Sequence, residues 1–264
     1  MELQEKVAVI TGGKRIGQIV ARRLAEHGMD LVLSYRGSKD EADATVADVV
    51  SLGRRATTVS ADVSQAEGCT AVIAHAVATF GRVDVLVNMA SVYRSKPLND
   101  ITPEYWDADL NVNLRSAFLC AHAALPHMRR TGGGRIVNFA DWLSRSGRPN
   151  YPDFTSRYVA KAGVIALTES LALEVARENI LVNAVAPGPI LPSPGMTPQE
   201  IEDAAQALPV GHWGGELEIA KLVVLSASRT SSQAKPFVSM AAGTWCSQRR
   251  DTPSTHTFLK GLQR

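Results

Sequence analysis

The run Thr11-Gly12-Gly13-Lys14-Arg15-Ile16-Gly17 has residue types and spacing that could hold a phosphate group. Glycines let the backbone turn tightly and approach a pyrophosphate, whose charge is met by the N–H groups of a helix start. Directly before this run stands the apolar strand pattern Val7-Ala8-Val9-Ile10, and Ile16, Ile19, Val20 and Leu24 recur after it at helical spacing. A glycine turn at such a strand-to-helix junction is where a dinucleotide places its pyrophosphate. The second apolar strand, Leu31-Val32-Leu33, continues into Ser34-Tyr35-Arg36-Gly37-Ser38. An NAD site puts Asp or Glu there for the ribose 2′-hydroxyl, and that carboxylate repels a 2′-phosphate. Ser34, Arg36 and Ser38 offer hydroxyls and a guanidinium instead, with Lys14 and Arg15 nearby, so NADPH is the cofactor these charges select.

These residues need a scaffold, and the hydrophobic pattern supplies one. Asp40–Leu52 reads as a helix, Ala56–Ser60 as a strand, and Cys69 to Phe80 as a helix. Asp84-Val85-Leu86-Val87 and Arg135–Phe139 read as strands, each followed by a long helical pattern, Leu114 to Met128 and about Ser156 to Arg177. Leu181–Val185 closes the series. Short continuous apolar strands between 3.6-period segments point to a parallel sheet covered on both faces. Right-handed crossovers then give a Rossmann-type doubly wound parallel sheet, α/β, in a single domain. The helices around Leu114–Met128 and Val159–Val175 are apolar on more than one face, so neighbouring elements or a second subunit must cover them.

Length and composition set outer limits. The 264 residues suit one substantial α/β domain, and 45% apolar with 20% charged residues is ordinary for a soluble globular chain. No apolar run approaches a membrane span, and Met1–Lys6 lacks the layout of a secretory signal, so a cytoplasmic location is expected. Cys69, Cys120 and Cys246 are scattered and the six histidines have no ligand spacing, so neither a structural disulfide nor a metal site is expected. Residues 226–264 hold six Lys or Arg against Asp251 alone, while the rest of the chain carries an acidic excess. This basic tail lacks interleaved aromatics or a helical stripe, and no nucleic-acid partner is expected from it.

The ordered set of motifs resembles the short-chain dehydrogenase/reductases over about residues 5 to 225. It comprises the Thr11–Gly17 turn, Ala61-Asp62-Val63, Val87-Asn88-Met89-Ala90, Asn113 in Asn113-Leu114-Arg115-Ser116-Ala117-Phe118, Gly134-Arg135-Ile136-Val137-Asn138 and Pro187-Gly188. The resemblance implies that Asp62 and Val63 bind adenine, and that Asn88 stabilises the central strand beside Ala90. It further implies that Pro187, Gly188 and Ile190 border the nicotinamide. Lys161 would hold the nicotinamide ribose, with Asn113 supporting it through water. A homo-oligomer, dimer or tetramer, is implied as well.

Within that family the chain looks most like the pteridine reductases. They share the Lys-Arg pair of the glycine turn, a serine and an aromatic after the fourth strand (here Ser91 and Tyr93), and an Asp at the end of the fifth strand where the wider family has Ser (here Asp141). A pterin is flat and rich in hydrogen-bonding groups. Tyr93 could stack on it while Arg15, Ser91 and Asp141 bond its edge. Trp142 and Trp213 are read as packing residues.

Two features depart from the pattern. The family carries Tyr-x-x-x-Lys on one helix, whose phenol protonates the atom that hydride leaves anionic. Here Arg157 lies four residues before Lys161, and Tyr158 three before. One helical residue is about 100° of rotation, which turns Tyr158 well away, and a guanidinium releases no proton near neutral pH. Three readings stay open: Tyr158 reaches the site through a local irregularity, Asp141 supplies the proton, or catalysis is impaired.

The second departure is the tail. The family ends in a strand reading roughly Val-Thr-Gly-x-x-x-x-Val-Asp-Gly-Gly, and nothing like it follows Val224. Back-translated and read one nucleotide earlier, Ser231–Trp245 can spell Phe-Val-Thr-Gly-Glu-Thr-Ile-Arg-Val-Asp-Gly-Gly-Arg-His-Leu, and the Met240 codon forces one of the glycines. The division is therefore residues 1–225, an NADP-binding catalytic domain, and 226–264, an atypical tail expected to be frame-shifted and disordered, with the usual last strand missing. The function expected is NADPH-dependent reduction of a pteridine-like or small carbonyl substrate. The alternatives are a ketone or acyl-carbonyl reductase of the same fold and an impaired nucleotide-binding protein.

Overall fold

The computed structural model describes residues 1–146, 152–192, 195–208, 210–230 and 238–241. Strands and helices alternate along the chain: β1 (Val7–Thr11), α1 (Ile16–Glu26), β2 (Asp30–Tyr35), α2 (Lys39–Ser51), β3 (Ala56–Ser60), α3 (Ala66–Phe80) and β4 (Val85–Asn88). Then come α4 (Pro103–Leu110), a π-turn (Asn111–Arg115), α5 (Ser116–Arg130), β5 (Gly134–Phe139), the short α6 (Leu143–Ser146) and α7 (Thr155–Val175). They are followed by β6 (Ile180–Pro187), α8 (Pro198–Gln206), α9 (Glu216–Ser228) and β7 (Val238–Ala241). Among the described residues the sheet has seven strands in the order β3-β2-β1-β4-β5-β6-β7, all parallel. This is the doubly wound α/β sheet that the apolar strand runs require, in one domain.

Alternation along each strand feeds two cores, because successive side chains leave a strand on opposite faces. Ala8 and Ile10 of β1, Leu31 and Leu33 of β2, and Val85 and Val87 of β4 pack with Val20 and Leu24 of α1 and Ile219 and Val223 of α9. Val9, Val32 and Leu86 point the other way, to Val72 and Ile73 of α3, Ala121 and Leu125 of α5, and Leu171 of α7. The strands are therefore apolar on both sides, which is why their runs are continuous rather than alternating.

Carboxylates pin the amino ends of the strands. Buried Asp84 accepts the Val7 N–H at 2.9 Å and two bonds from Arg82 at 2.7 Å each. Asp30 accepts from the Arg55 N–H and from the side chains of Arg54 and Arg55. Burial pulls the Asp30 carboxyl upward, but those hydrogen bonds and the two guanidinium charges outweigh it and hold the group below its ordinary value.

One expectation about the fold needs correction. The strand expected to be missing has a counterpart: Val238–Ala241 pairs parallel with β6, Ala184 facing Val238 and Pro187 facing Ala241. Edge pairing uses backbone N–H and C=O groups, so a segment lacking the family's side-chain motif can still occupy that edge. The remainder of the tail after Thr230, including Ser231–Phe237 and the residues beyond Ala241, lies outside the described residues. On the helices, Phe118, Val159 and Leu173 keep large apolar surfaces exposed in the single chain.

Candidate active site

A cavity of about 670 Å³ opens above the carboxyl ends of the strands, where doubly wound sheets bind ligands. Five strand ends supply its walls: Gly12, Lys14, Arg15 and Ile16 after β1; Tyr35, Arg36, Gly37 and Ser38 at the end of β2; Met89, Ser91 and Tyr93 after β4. Phe139 to Leu143 follow at β5 and Pro187 to Leu191 at β6, while Arg157 and Lys161 of α7 and Trp213 close the inner side.

The glycine turn is held tightly against the next loop. Thr11 is buried, and its Oγ1 accepts the N–H groups of Met89 at 3.1 Å and Ala90 at 3.2 Å. Gly12 lies at φ 70°, and a Cβ built there would stand 2.7 Å from the Ala90 Cα. Only glycine satisfies both demands, a left-handed backbone and a missing side chain. Arg15 also has a positive φ, 55°, and its guanidinium donates to the Pro192 carbonyl at 3.1 Å. No side chain caps the start of α1, which faces the cavity with its positive dipole end.

The outer rim is cationic. Lys14 pairs with Glu41 at 2.7 Å, and Arg36 stands 3.6 Å from Asp62, both on exposed surface. A side-chain hydrogen bond with Ser64 is the main influence that holds the Asp62 carboxyl below its usual value, with Arg36 adding to it. Ser34, expected to face a 2′-phosphate, is instead buried in β2, where its carbonyl accepts the Gly12 N–H at 3.2 Å. Alternation explains this: Tyr35, the next residue along the strand, takes the cavity side. Val63 is buried and packs against the α3 and α5 core, off the cavity wall.

Behind the inner wall lies a polar relay. The Asn88 amide donates to Asn138 Oδ1 at 2.9 Å and to the Ala117 carbonyl, tying β4 to β5 and α5. The Asn138 amide donates in turn to Thr168 on α7. Asn113, in the π-turn, accepts from Ser91 Oγ at 2.7 Å and from the Val92 N–H at 3.3 Å. Its buried Nδ2 has no partner among the described residues, which leaves a donor for water.

Arg157 decides the character of the inner wall. It is 8% exposed, and its Nε and Nη2 donate to Asp141 Oδ2 at 3.1 and 2.7 Å. Its Nη1 donates to Ser91 Oγ at 3.0 Å and to the Val92 carbonyl at 2.8 Å. The guanidinium carbon lies 4.6 Å from the Tyr93 ring centroid. Asp141 receives a further bond from the Leu143 N–H. Lys161, one turn along α7, is 2% exposed and donates to the Phe139 carbonyl at 2.6 Å. Burial drives its pKa down and the Arg157 charge adds to this; Asp141 pulls the other way, and the result is about 7.

The structure brings together Arg15, Ser91, Tyr93, Asp141 and Lys161, and does not add Tyr158. That side chain is 45% exposed and off the cavity wall, which corrects the one of the three readings that brought Tyr158 in through a local irregularity. α7 is a regular helix from Thr155, and Arg157, not Tyr158, shares a face with Lys161. Trp142 and Trp213, read as packing residues, line the cavity, as do Tyr35, Met89, Leu143, Pro189 and Leu191. Their common signal is position just beyond the carboxyl end of a strand, or on the segment after β6. Among the described residues no group of His, Cys, Asp and Glu could hold a metal, and no helix is long and apolar enough to cross a membrane.

Comparison with known proteins accords with this geometry. The family model "short chain dehydrogenase" matches residues 6–204. The 3-oxoacyl-[acyl-carrier-protein] reductase FabG of Staphylococcus aureus (strain N315) is 35% identical over 226 residues, covering 84% of this chain and 91% of that protein. The short-chain reductase protein NovJ of Streptomyces niveus is 38% identical over 237 residues, covering 85% of this chain and 87% of that one. Among solved structures, a blue fluorescent protein from a metagenomic library in complex with NADPH superposes with a TM-score of 0.84. It is 31% identical, covering 94% of this chain and 100% of that chain. The chain belongs to the short-chain dehydrogenase family, and is an oxidoreductase by that membership.

Proposed function

We propose that the protein is an NADPH-dependent reductase of a small carbonyl compound. The observation that carries the cofactor choice is the rim: β2 ends without a carboxylate on the cavity wall, where Arg36, Ser38 and Lys14 stand. The Gly12 turn, which a Cβ would fill, and the uncapped start of α1 fit a pyrophosphate. Lys14, Arg36 and Ser38 would hold the 2′-phosphate, Asp62 would face the adenosine end, and Lys161, Pro187, Gly188 and Ile190 would border the nicotinamide end. When bound, the nicotinamide supplies hydride. The chain's own part is to orient the carbonyl against it, exclude water behind Trp142 and Trp213, and deliver a proton.

A pteridine substrate is the second reading, favoured by the shared cavity position of Arg15, Ser91, Tyr93 and Asp141. Arg157 already occupies Asp141 and Ser91 and covers Tyr93, so a pterin edge must compete with those bonds. The small carbonyl is therefore preferred. Steady-state NADPH oxidation with β-ketoesters, acyl thioesters, diketones and dihydropteridines separates the readings. Turnover of a carbonyl above all pteridines is expected. Tight NADPH binding with no turnover, restored by Arg157→Tyr, would identify a nucleotide-binding protein without catalysis.

A further inference from the structure

A carbonyl that receives hydride becomes anionic at oxygen and needs a proton, yet the phenol of the family pattern is replaced by Arg157. Among the described residues, and setting aside the cavity phenol Tyr93, which a Tyr93→Phe variant tests, the groups of the inner wall keep their protons, accept, or lie outside. Arg157 keeps its proton at any neutral pH. Asp141 accepts three hydrogen bonds, from Leu143 N and from Arg157 Nε and Nη2, and serves as an acceptor. Ser91 gives its hydroxyl hydrogen to Asn113 Oδ1. Tyr158 is exposed outside the cavity.

Lys161 differs from all of these. Lys161 is one of the cavity-lining residues, and among the described residues its ammonium gives one of its three hydrogens to the Phe139 carbonyl. Among the described residues, the charged groups facing it are Arg157 from its own helix and Asp141 from the loop after β5. Asp109 of α4, the other buried acid against α7, is turned to Ser156 and Arg94. Burial and Arg157 make its ammonium proton far easier to remove than that of an ordinary lysine. The guanidinium in the phenol's place thus acts on Lys161 as a fixed like charge.

We propose that Lys161 Nζ is itself the proton donor of this site, tethered by the Phe139 carbonyl and flanked by the paired Arg157 and Asp141 as positioning residues; this rests on the reductase reading above. Hydride adds to the carbonyl carbon, the carbon–oxygen π pair moves to oxygen, and an Nζ–H bond breaks as the O–H bond forms. The products are the alcohol, the oxidised nicotinamide that has lost the hydride, and a neutral Lys161 amine, which solvent reprotonates. In the oxidation direction the neutral amine takes the alcohol proton. Reduction therefore falls as pH rises through about 7, where the donor is lost, and oxidation rises through the same range.

Two measurements test this. In cofactor-free protein carrying ¹³C-labelled lysine, one Cε resonance, absent from Lys161→Arg, should titrate near 7 and move to higher pH in Arg157→Gln. In steady state, Lys161→Arg keeps a cation but has no proton to give; kcat for reduction should fall about 100-fold or more. Arg157→Tyr should restore a phenol donor and move the basic limb of the profile upward. The proposal is overturned by a Lys161 resonance titrating in the ordinary lysine range, by near-normal kcat in Lys161→Arg, or by loss of the limb in Tyr93→Phe. Absence of wild-type turnover on every carbonyl fails the reductase reading along with it; turnover with an unchanged limb in Lys161→Arg fails this proposal alone.

Discussion

Asp141 and Arg157 meet at 2.7 Å with both side chains about nine-tenths buried, and neither is easily removed alone. Breaking one half of a buried pair strands the other charge, which costs about 3–5 kcal/mol, whereas replacing both by apolar groups is often close to neutral. Thermal or urea unfolding of Asp141→Ala should show such a loss, and Asp141→Leu with Arg157→Met together should recover most of it. Equal losses in the single and double variants would mean that packing, not the stranded charge, sets the cost. In the sequence, Arg157 is legible as a departure from Tyr-x-x-x-Lys, and Asp141 as an unusual strand end. That the two bind each other is not legible, because sixteen residues separate them and no local periodicity ties the loop to α7.

At the scale of elements, the strand ends and the turn after β1 make the site, and each can be tested by a small change. Gly12→Ala introduces a Cβ 2.7 Å from the Ala90 Cα in a backbone region that side chains avoid. NADPH affinity should drop at least tenfold, about 1.4 kcal/mol, with unfolding shifted in the same direction. Unchanged binding would place the pyrophosphate elsewhere. At the opposite end of the sheet, Asp30→Ala removes three hydrogen bonds from Arg54 and Arg55 and should cost about 1–3 kcal/mol at pH 7. Because the folded-state pKa of Asp30 is depressed, its contribution is full above the ordinary carboxylate range and is lost as pH falls through the folded value. The difference between wild type and variant in urea should therefore shrink at low pH. These elements were the most legible part of the chain, since a fully buried parallel strand leaves a continuous apolar run and its helix a 3.6 period. The cavity walls were less so: Tyr35 and Met89 carry no pattern of their own and are placed only by strand order, and Trp213 is brought in by the segment after β6.

The whole molecule raises two further expectations. Phe118, Val159 and Leu173, the last 78% exposed, lie on helices that the sheet covers on one side only. Such apolar surface fits a subunit contact, and light scattering should return a mass of two or four chains. The second expectation concerns the tail. The bases encoding Val238–Ala241, which pair with β6, can in the alternative frame spell Arg-Val-Asp-Gly, the middle of the family's last strand. Coding DNA should show codons compatible with that peptide; a single incompatible codon between Ser231 and Trp245 would refute the frame shift. Here the sequence misleads on topology, since edge pairing draws on the backbone while the motif is written in side chains.

What most directly probes the central idea, a cationic rim reading a 2′-phosphate, is paired fluorescence titration of the protein with NADPH and NADH at fixed ionic strength. NADPH should bind at least about tenfold more tightly, with the gap closing in Arg36→Ala. Equal affinity for the two nucleotides in the wild type would contradict it.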